Sequence, residues 1–523
     1  MRVLLMHPDR DFDPELRLLQ SLTPRFRNGD QQPPLSPHQQ ALIQDLELNT
    51  LLRAMAGNDE LVFEVGRKAL LSGLENDIES ILHRQQVLKD CIENPATVAE
   101  LYQLAIEATE LPHKHWWGLS STYPSSLLYS SVELLEFLLE MLQKLRTAAE
   151  QHAARFKSPG FTALFAMLVH ELNDEYLDRA REHLAESKFR KGVLLSAQLG
   201  EWNESVNLVL RKPDGPGQNW LDRLLGKGPP GYTYHLDERD EAGARILSEI
   251  RNRGIARVAL ALAQSADHVR SFFKTLRTEL AFYVGCLNLH RQLSTKGEPA
   301  AFPAPAPAGQ RKHRFAGLYD VCLSLQLEER VVGNTVDANG KDLVIITGAN
   351  QGGKSTFLRS IGLAQLMMQA GMFVGAEAFE AEVCPSLFTH SKREEDPTMK
   401  SGKFDEELAR MSEIADQVAP NSMVLFNESF AATNEREGSE IASQIVSALL
   451  EKRVRVLYVT HLYDFASRFF ERRTDGALFL RAERKPDGTR TFRLVEGRPL
   501  ETSYGEDLYR EVFAAEQDEA PVR

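Results

Sequence analysis

The stretch Gly348-Ala-Asn-Gln-Gly-Gly-Lys-Ser-Thr356 decides the fold of the carboxy-terminal part of this chain. It matches the phosphate-loop pattern GxxxxGK[ST] and directly follows the apolar run Leu343–Ile346, which predicts a buried strand. In such a loop backbone N–H groups close around phosphates, Lys354 brings positive charge to the β and γ oxygens, and the Ser355 hydroxyl is a ligand for Mg²⁺. We therefore predict a site for a nucleoside triphosphate. Its residues are Gly348, Ala349, Asn350, Gln351, Gly352, Gly353, Lys354, Ser355 and Thr356.

The residues after the loop predict a helix from Ser355 to about Gly371. A strand before the loop and a helix after it argue against a chance match of the pattern. Residues 360–376 include no charged side chain, which is typical of a helix packed against a parallel sheet. A membrane span is the competing interpretation, but the stretch is shorter than the ~18 apolar residues that a span needs, and it contains Gln365 and Gln369. We expect no contact with a membrane.

The composition is that of a globular protein, because 43% of the 523 residues are hydrophobic and 26% are charged. This length suggests roughly two to four domains. The four cysteines are far apart and form no CxxC pair, which argues against structural zinc or disulfides and fits a reducing cytosol. Arg2, Asp9 and Arg10 lie too early for a signal peptide, so we expect a cytoplasmic protein. The net charge of −13 lowers the expectation of nucleic-acid binding without excluding a local basic face.

Polar residues follow two further runs that predict strands. Asn427 and Glu428 come directly after Met423–Phe426, and His461 follows Val454–Val459. In a nucleotide-hydrolysing sheet, the end of the first strand presents an acidic group to the Mg²⁺ shell, and the next acid orients or deprotonates the attacking water. Glu428 is the candidate for that second role. His461 lies where a strand end reaches the γ-phosphate, although a lone histidine at such a position is often structural.

Five sequence blocks, in order along the chain, carry a more specific signal than the phosphate loop alone. They are TGANQGGKSTFLRSIGLAQLMMQAGMFVGA (Thr347–Ala376), SGKFDEELARM (Ser401–Met411), NESFAATNEREG (Asn427–Gly438), VTHLYDF (Val459–Phe465) and SYG (Ser503–Gly505). Together they resemble the ATPase domain of the MutS family of DNA mismatch-repair proteins, over about residues 315–510.

The resemblance implies an α/β P-loop NTPase domain of ABC type, in which two ATPase domains bind two nucleotides between them. It implies ATP and Mg²⁺ as cofactors, a homodimer, and DNA as a partner. It also implies that Gly348–Thr356 holds the phosphates, Glu428 activates water and His461 senses the γ-phosphate. Ser401 or Gly402 would face the nucleotide of the partner subunit, as the family's signature serine does at the start of a helix.

Asn427 departs from the family, which usually has the Walker B aspartate at this position. An amide still accepts a hydrogen bond from a Mg²⁺-bound water or ligates the ion weakly beside Ser355, yet it brings no negative charge to a hard cation. We therefore predict an ATPase with slow hydrolysis. A purely structural role for Asn427, capping the end of its strand, is the alternative.

The first 298 residues predict a mainly α-helical domain. Ser130–Ala153 contains LLEFLLEMLQKL, and a longer helical stretch with an interruption at Gly254 covers Glu238 to about Leu293. The segments Asp45–Gly57 and Thr278–Gly285 are similar to the family's helical core and lever, the arms that carry changes at the DNA site to the ATPase. The resemblance therefore implies a core-and-lever domain at residues 1–298.

An excursion from the lever is predicted at about residues 188–236. Lys188–Leu210 alternates as a short strand pair does, and Asp214–Tyr234 is rich in Gly and Pro. In the family that this chain resembles, the DNA-holding clamp is inserted at this place. The segment from Lys188 to Leu236 is short for a full clamp, so we expect at most a reduced one. Its basic side chains either touch phosphates or form a solvated surface; they are Arg190, Lys191, Arg211, Lys212, Arg223 and Lys227. The aromatic-basic cluster His113–Trp117 either stacks on bases or packs at a helix end.

Residues 299–314 predict an extended linker, because prolines alternate with alanines before a basic run. The ATPase domain would then occupy residues 315–523. Within it, Gly476–Leu480 and Thr491–Leu494 flank the turn sequence Pro486-Asp487-Gly488 and predict a hairpin that closes the sheet.

Three functions follow as hypotheses. The first is an ATP-driven dimeric clamp that engages DNA by its shape or backbone and not by reading mismatches, since the first 40 residues contain no Phe-x-Glu and are too few for a mismatch-reading domain. The second is an ABC-type ATPase whose arms grip a protein partner, which the acidic charge favours. The third is a nucleotide-binding scaffold with slow turnover, which Asn427 favours.

Overall fold

The computed structural model of this chain describes residues 1–10, 12, 35–71, 74–115, 123–190, 192–202, 205–211, 235–237, 239–393, 402–472 and 476–500. Several predicted features lie outside the described residues: Ser401, Ser503–Gly505, Lys191, Lys212, Arg223, Lys227 and the side chains of the His113–Trp117 cluster.

The described residues of the amino-terminal part form mostly helices, together with one hairpin. Its elements are α1 (Pro37–Asp45), α2 (Leu48–Ala56), α3 (Glu60–Leu71), α4 (Ile78–Glu93), α5 (Pro95–His115), α6 (Pro124–His152), α7 (Pro159–Glu171), α8 (Asp174–Ser187), β1 (Leu194–Leu199), β2 (Ser205–Arg211) and α9 (Glu241–Thr295).

The carboxy-terminal part combines strands and helices. Its elements are β3 (Ala304–Ala306), β4 (His313–Leu318), α10 (Val321–Gln326), β5 (Asn334–Asp337), β6 (Leu343–Gly348), α11 (Lys354–Gln369), β7 (Ala378–Glu382), β8 (Leu387–Ser391), α12 (Lys403–Gln417), β9 (Met423–Asn427), α13 (Glu435–Glu451), β10 (Arg455–Val459), α14 (Tyr463–Glu471), β11 (Ala477–Arg484) and β12 (Arg490–Glu496).

One compact unit comprises residues 1–3, 99–156 and 162–277. Its longest complete helix, α6, buries Leu134, Leu138 and Leu145 at helical spacing, so one face of the helix is apolar. The strands β1 and β2 pair in antiparallel fashion, which confirms the strand pair predicted within Lys188–Leu210.

The second compact unit comprises residues 4–98, 157–161 and 278–523. This division does not coincide with the predicted domain boundary near residue 298, because amino-terminal helices pack within the unit that contains the sheet. The Nη1 atom of Arg393 lies 2.9 Å from Oδ1 of Asp45 in α1. His38, also in α1, lies against Phe388 of β8, with ring centroids 4.5 Å apart.

The central sheet of this unit has six strands in the order β12-β11-β6-β10-β9-β8. Every pair in it is parallel except β11 with β12, which form the predicted closing hairpin. All residues of β6 and β10 are buried, as expected of central strands in a parallel sheet with both faces covered. The mixed α/β fold of this region follows from these apolar strands.

The segment predicted as a linker contributes to a second sheet, of four strands in the order β3-β7-β4-β5. Within residues 299–314, β3 pairs with β7 and the beginning of β4 pairs with β5 and β7. Pro305 is compatible with β3 because this strand lies at the edge of the sheet. Proline has no backbone N–H group, and an edge strand can place that position on the side that has no neighbouring strand. The backbone is extended, as predicted, but it is packed into a sheet.

The uncharged stretch after the phosphate loop forms α11, which is buried along almost its whole length. Its two glutamines are bonded inside the protein: Gln365 Nε2 donates to Glu382 O at 2.9 Å, and Gln369 Nε2 donates to Cys384 O at 3.0 Å. Among the described residues, no helix has the length and hydropathy needed to cross a bilayer.

Candidate functional site

The phosphate loop, Asn427, Glu428 and His461 lie at one edge of the six-stranded sheet. The strand β10 lies between β6 and β9, and Val459 is in register with Ile346 on one side and with Asn427 on the other. Because all three strands are parallel, the segments that follow them leave the sheet at the same edge. The phosphate loop, Glu428 and His461 therefore come together although they are distant in sequence.

The phosphate loop needs glycine for two physical reasons. Gly348 and Gly353 have φ values of 111° and 85°, in the left-handed region that side chains disfavour. In addition, a Cβ on Gly352 would lie 2.7 Å from the Cβ of Ala482 in β11, and one on Gly348 would lie 2.9 Å from the Ala482 nitrogen. Close packing of β11 thus fixes the path of the loop.

Lys354 lies inside this loop and is buried. Its Nζ donates to the carbonyl oxygens of Gly348 at 2.9 Å and Ala349 at 2.8 Å. Burial lowers the pKa of Lys354 to about 8, with Glu428 acting in the opposite direction and Arg490 adding to the decrease. The ammonium group is therefore held in the loop and remains mostly protonated at neutral pH.

Arg490 is a further cation close to Lys354, and no sequence pattern indicated it. It lies on β12, and its positive charge lowers the pKa of Lys354. Within the described part of the chain, its buried Nε and Nη2 atoms have no hydrogen-bond partner. A single arginine in a strand of a hairpin carries no sequence signal, and only the pairing of β11 with β12 and β6 brings it near the loop.

Ser355 and Asn427 form one polar pair. The Ser355 hydroxyl donates to Oδ1 of Asn427 at 2.9 Å, and the backbone N–H of Lys392 donates to Asn427 O at 3.0 Å. The Ser355 hydroxyl oxygen and the Asn427 side-chain amide oxygen, both uncharged, thus lie together where the phosphate loop meets the end of β9. Oxygen ligands suit Mg²⁺, so this pair fits the ion in donor type, but it brings no negative charge.

Glu428 and His461 form a second pair, with Glu428 Oε1 and His461 Nε2 3.0 Å apart. About a third of each side chain is exposed. The hydrogen bond and charge of His461 lower the pKa of Glu428, against the opposing effect of burial. The carboxylate is therefore ionised at neutral pH and able to accept a proton or a hydrogen bond from water.

The predicted signature and clamp residues are only partly described. Gly402 is the exposed N-cap of α12. Arg190, which precedes β1 in the chain, is exposed, and Arg211 of β2 donates from Nε to Ser196 Oγ at 2.9 Å.

Comparisons with known proteins identify two matching protein families. Residues 76–296 match the family model described as MutS2 N-terminal domain, and residues 344–514 match the one described as MutS domain V. The first match lies in the helical part, from just before α4 to the end of α9, and the second contains the phosphate loop and most of the six-stranded sheet.

Individual relatives agree with these matches. A DNA mismatch repair protein MutS from Streptococcus mutans is 22% identical over 456 residues, which cover 83% of this chain and 52% of that protein. An endonuclease MutS2 from Bacillus velezensis is 33% identical over 136 residues, covering 26% of this chain and 17% of that protein. MutS protein homolog 4 from Homo sapiens is 30% identical over 148 residues, covering 28% and 16%. Each match thus spans about half of the relative or less.

Proposed function

This chain belongs to the MutS family, and we propose that it binds ATP with Mg²⁺ and hydrolyses the nucleotide slowly in a domain of ABC type. The observation that carries the proposal is the convergence of a phosphate loop, the Ser355–Asn427 pair and the Glu428–His461 pair at one edge of a parallel sheet. This is the set of groups that phosphoryl transfer to water requires.

Each group has a distinct role in the proposed reaction. The glycines of Gly348–Thr356 let the backbone approach the phosphates, and Lys354 binds their charge. Glu428 accepts the proton of the attacking water as the water oxygen bonds to the γ-phosphorus and the bond from that phosphorus to the β–γ bridging oxygen breaks, so that ADP leaves. His461 senses the γ-phosphate and orients the Glu428 carboxylate through the hydrogen bond between them. Ser355 and Asn427 would hold Mg²⁺, which when bound supplies positive charge beside the phosphate oxygens. Hydrolysis is slow because Asn427 is neutral.

The proposed active assembly is a homodimer in which each subunit completes the partner's nucleotide site. The segment that contains Ser401 and Gly402 would face the nucleotide of the partner subunit, at the start of α12. Support comes from the family resemblance of this segment and from Gly402, which is the N-cap of the helix. Residues 315–523 would form the ATPase domain and residues 1–298 the core and lever, with residues 4–98 of that part packed into the compact unit that contains the sheet.

We propose that nucleotide binding is coupled to DNA binding, with DNA recognised by its structure or backbone. The match of residues 76–296 to the MutS2 N-terminal domain and the names of the mismatch-repair relatives support a DNA-related role. The hairpin of β1 and β2 would act as a reduced clamp, with Arg190 and Arg211 among the residues near phosphates. Recognition of mismatches is not part of the proposal.

A protein partner in place of DNA is the second candidate. The net charge of −13 favours it, because contact with DNA phosphates depends on Lys and Arg. A slow nucleotide-binding scaffold is favoured only by Asn427, and it differs from the main proposal in rate alone.

The decisive experiment measures binding of fluorescent DNA to the whole chain. Duplex, branched and single-stranded DNA are titrated with and without ATP, at two salt concentrations. Binding that depends on nucleotide and weakens steeply with salt would support the DNA clamp and identify the structure that is recognised. The Lys354→Ala variant is the control and should lose the nucleotide dependence. Absence of binding to every form of DNA would favour a protein partner.

A further inference from the structure

A buried group of polar residues lies next to the loop that carries Glu428. It consists of His390 on β8, Glu407 on α12 and Ser429 directly after Glu428, each at most 3% exposed. We call this group the buried polar layer. The proposed roles of Lys354 and His461 in ATP hydrolysis do not explain why three polar side chains are buried at this place. Buried polar groups are costly unless they are bonded, so their bonds indicate what the layer does.

The backbone next to the layer is strained. Glu428 and Phe430 have φ values of 55° and 61°, in the left-handed region. A residue with a side chain pays on the order of 1–3 kcal/mol for such a conformation, so it persists only where surrounding contacts enforce it. Contacts that hold residues 428–430 therefore also determine the direction of the Glu428 carboxylate.

The contacts come from the buried polar layer. The Phe430 N–H donates to Oε2 of Glu407 at 2.8 Å. The Ser429 hydroxyl lies 2.6 Å from His390 O and 2.7 Å from its Nδ1, so its hydrogen serves one of these acceptors at a time. From β10, the Tyr458 hydroxyl donates to the backbone carbonyl oxygen of Ser429 at 2.8 Å. Both residues that follow Glu428 are thus fixed by side chains of other elements.

The same layer ties the loop to α12. His390 Nε2 lies 3.0 Å from the carbonyl oxygen of Glu407, which can only accept, so Nε2 donates and Nδ1 is left to accept from Ser429. Arg410, one turn further along α12, donates from Nη1 to Ser391 O at 3.1 Å. Hence β8, α12 and the Glu428 loop are connected through direct hydrogen bonds.

We propose that Glu407 and His390 are positioning residues for Glu428. Through them, the orientation of the Glu428 carboxylate depends on the position of α12. Glu407 lies in the second turn of that helix, which begins one residue after Gly402. A displacement of the segment that contains Gly402 would be transmitted through Glu407 to the Phe430 N–H and so to Glu428. The inference rests on the proposed function, because it assigns a role in ATP hydrolysis.

The test compares Glu407→Ala with Glu407→Gln in ATP hydrolysis and ATP binding. The alanine variant loses the acceptor for the Phe430 N–H, so kcat should fall on the order of 10- to 100-fold. The Kd for ATP should change less than about 2-fold, because the interaction acts in the transition state and not in ground-state binding. Glutamine keeps an acceptor oxygen and should restore most of kcat. Glu413→Ala, an exposed glutamate of the same helix, is the matched control.

A second measurement separates positioning from a loss of structure. If Glu407 acts through Glu428, the Glu407→Ala change should lower the residual rate less than about 2-fold when Glu428 is already glutamine. Full additivity of the two changes, or an unchanged kcat in Glu407→Ala, would overturn the positioning role. Absence of hydrolysis in the wild type would instead overturn the proposed function on which it rests. If Glu407→Ala does not fold, His390→Gln is measured against the same criteria.

Discussion

The end of β9 is surrounded by two sets of polar residues that differ in what they bind. The first set lies at the solvent-accessible edge of the sheet, which we call the open side. There, Asn427 pairs with the side chain of Ser355, and Glu428 pairs with that of His461. In the buried polar layer, His390, Glu407 and Ser429 instead bond largely to main-chain atoms.

The first set is therefore suited to catalysis, and the second set to holding the backbone in place. Pairs between side chains can exchange partners when a ligand arrives, whereas bonds to the backbone determine where the chain runs. We therefore expect substitutions on the open side to alter catalysis with little change in stability, and substitutions in the layer to alter stability as well.

The largest effect is expected for Glu428→Gln. Loss of the carboxylate removes the proposed general base, so kcat should fall on the order of 10²- to 10⁴-fold. The free energy of unfolding should change by less than about 0.5 kcal/mol, because the side chain lies at the open edge. Phosphate release and urea denaturation provide the two measurements. Retention of the wild-type rate would remove Glu428 from the reaction.

A stability effect is expected for Ser429→Ala. The change leaves His390 Nδ1 without its hydroxyl donor in the interior, which should lower the free energy of unfolding by ~1–3 kcal/mol. Urea denaturation at pH 7 measures this decrease. Ser412→Ala, an exposed serine on α12, is the matched control and should be nearly neutral. Equal effects of the two changes would contradict the distinction between the open side and the layer.

His390 makes a specific contribution to acid sensitivity. Burial lowers its pKa from 6.5 to about 4, so below pH 6.5 the unfolded chain takes up a proton that the folded chain does not. The stabilising contribution is complete above pH 6.5 and is lost as the pH falls toward 4, by about 1.4 kcal/mol per pH unit for one proton.

Urea denaturation between pH 7 and 5 checks this window. Other buried histidines, such as His7 and His313, have lowered pKa values too, so the wild type alone cannot isolate His390. The variant His390→Gln should show a shallower dependence on pH than the wild type, by up to one proton. Identical slopes would contradict the assignment.

The smallest effect is expected for Asn427→Asp, which restores a negative charge beside Ser355. Hydrolysis should rise by a few-fold, up to about 10-fold, at limiting Mg²⁺ because a carboxylate is a better ligand for a hard cation. The rate as a function of Mg²⁺ concentration is the measurement. Asn434→Asp, at the N-cap of α13, serves as the control. An unchanged rate would mean that Asn427 does not limit turnover.

Local patterns predicted much of the sheet and part of the site. The apolar runs at β6, β9 and β10 and the glycines of the phosphate loop were visible because burial and loop geometry depend on neighbouring residues. The sequence also suggested Glu428 and His461, since both lie within two residues of the end of a strand. The 3.0 Å contact between them required parallel pairing of β9 and β10.

The sequence by itself determined the class of the carboxy-terminal fold, the phosphate loop and the family resemblance. Only the tertiary structure placed Arg490 near Lys354, packed residues 299–314 into a sheet, and joined His390 and Glu407 to the residues after Glu428. A lone histidine, glutamate or arginine has no local signature. Its role depends on which distant segments the fold brings within hydrogen-bonding distance, and that is decided by packing over the whole unit.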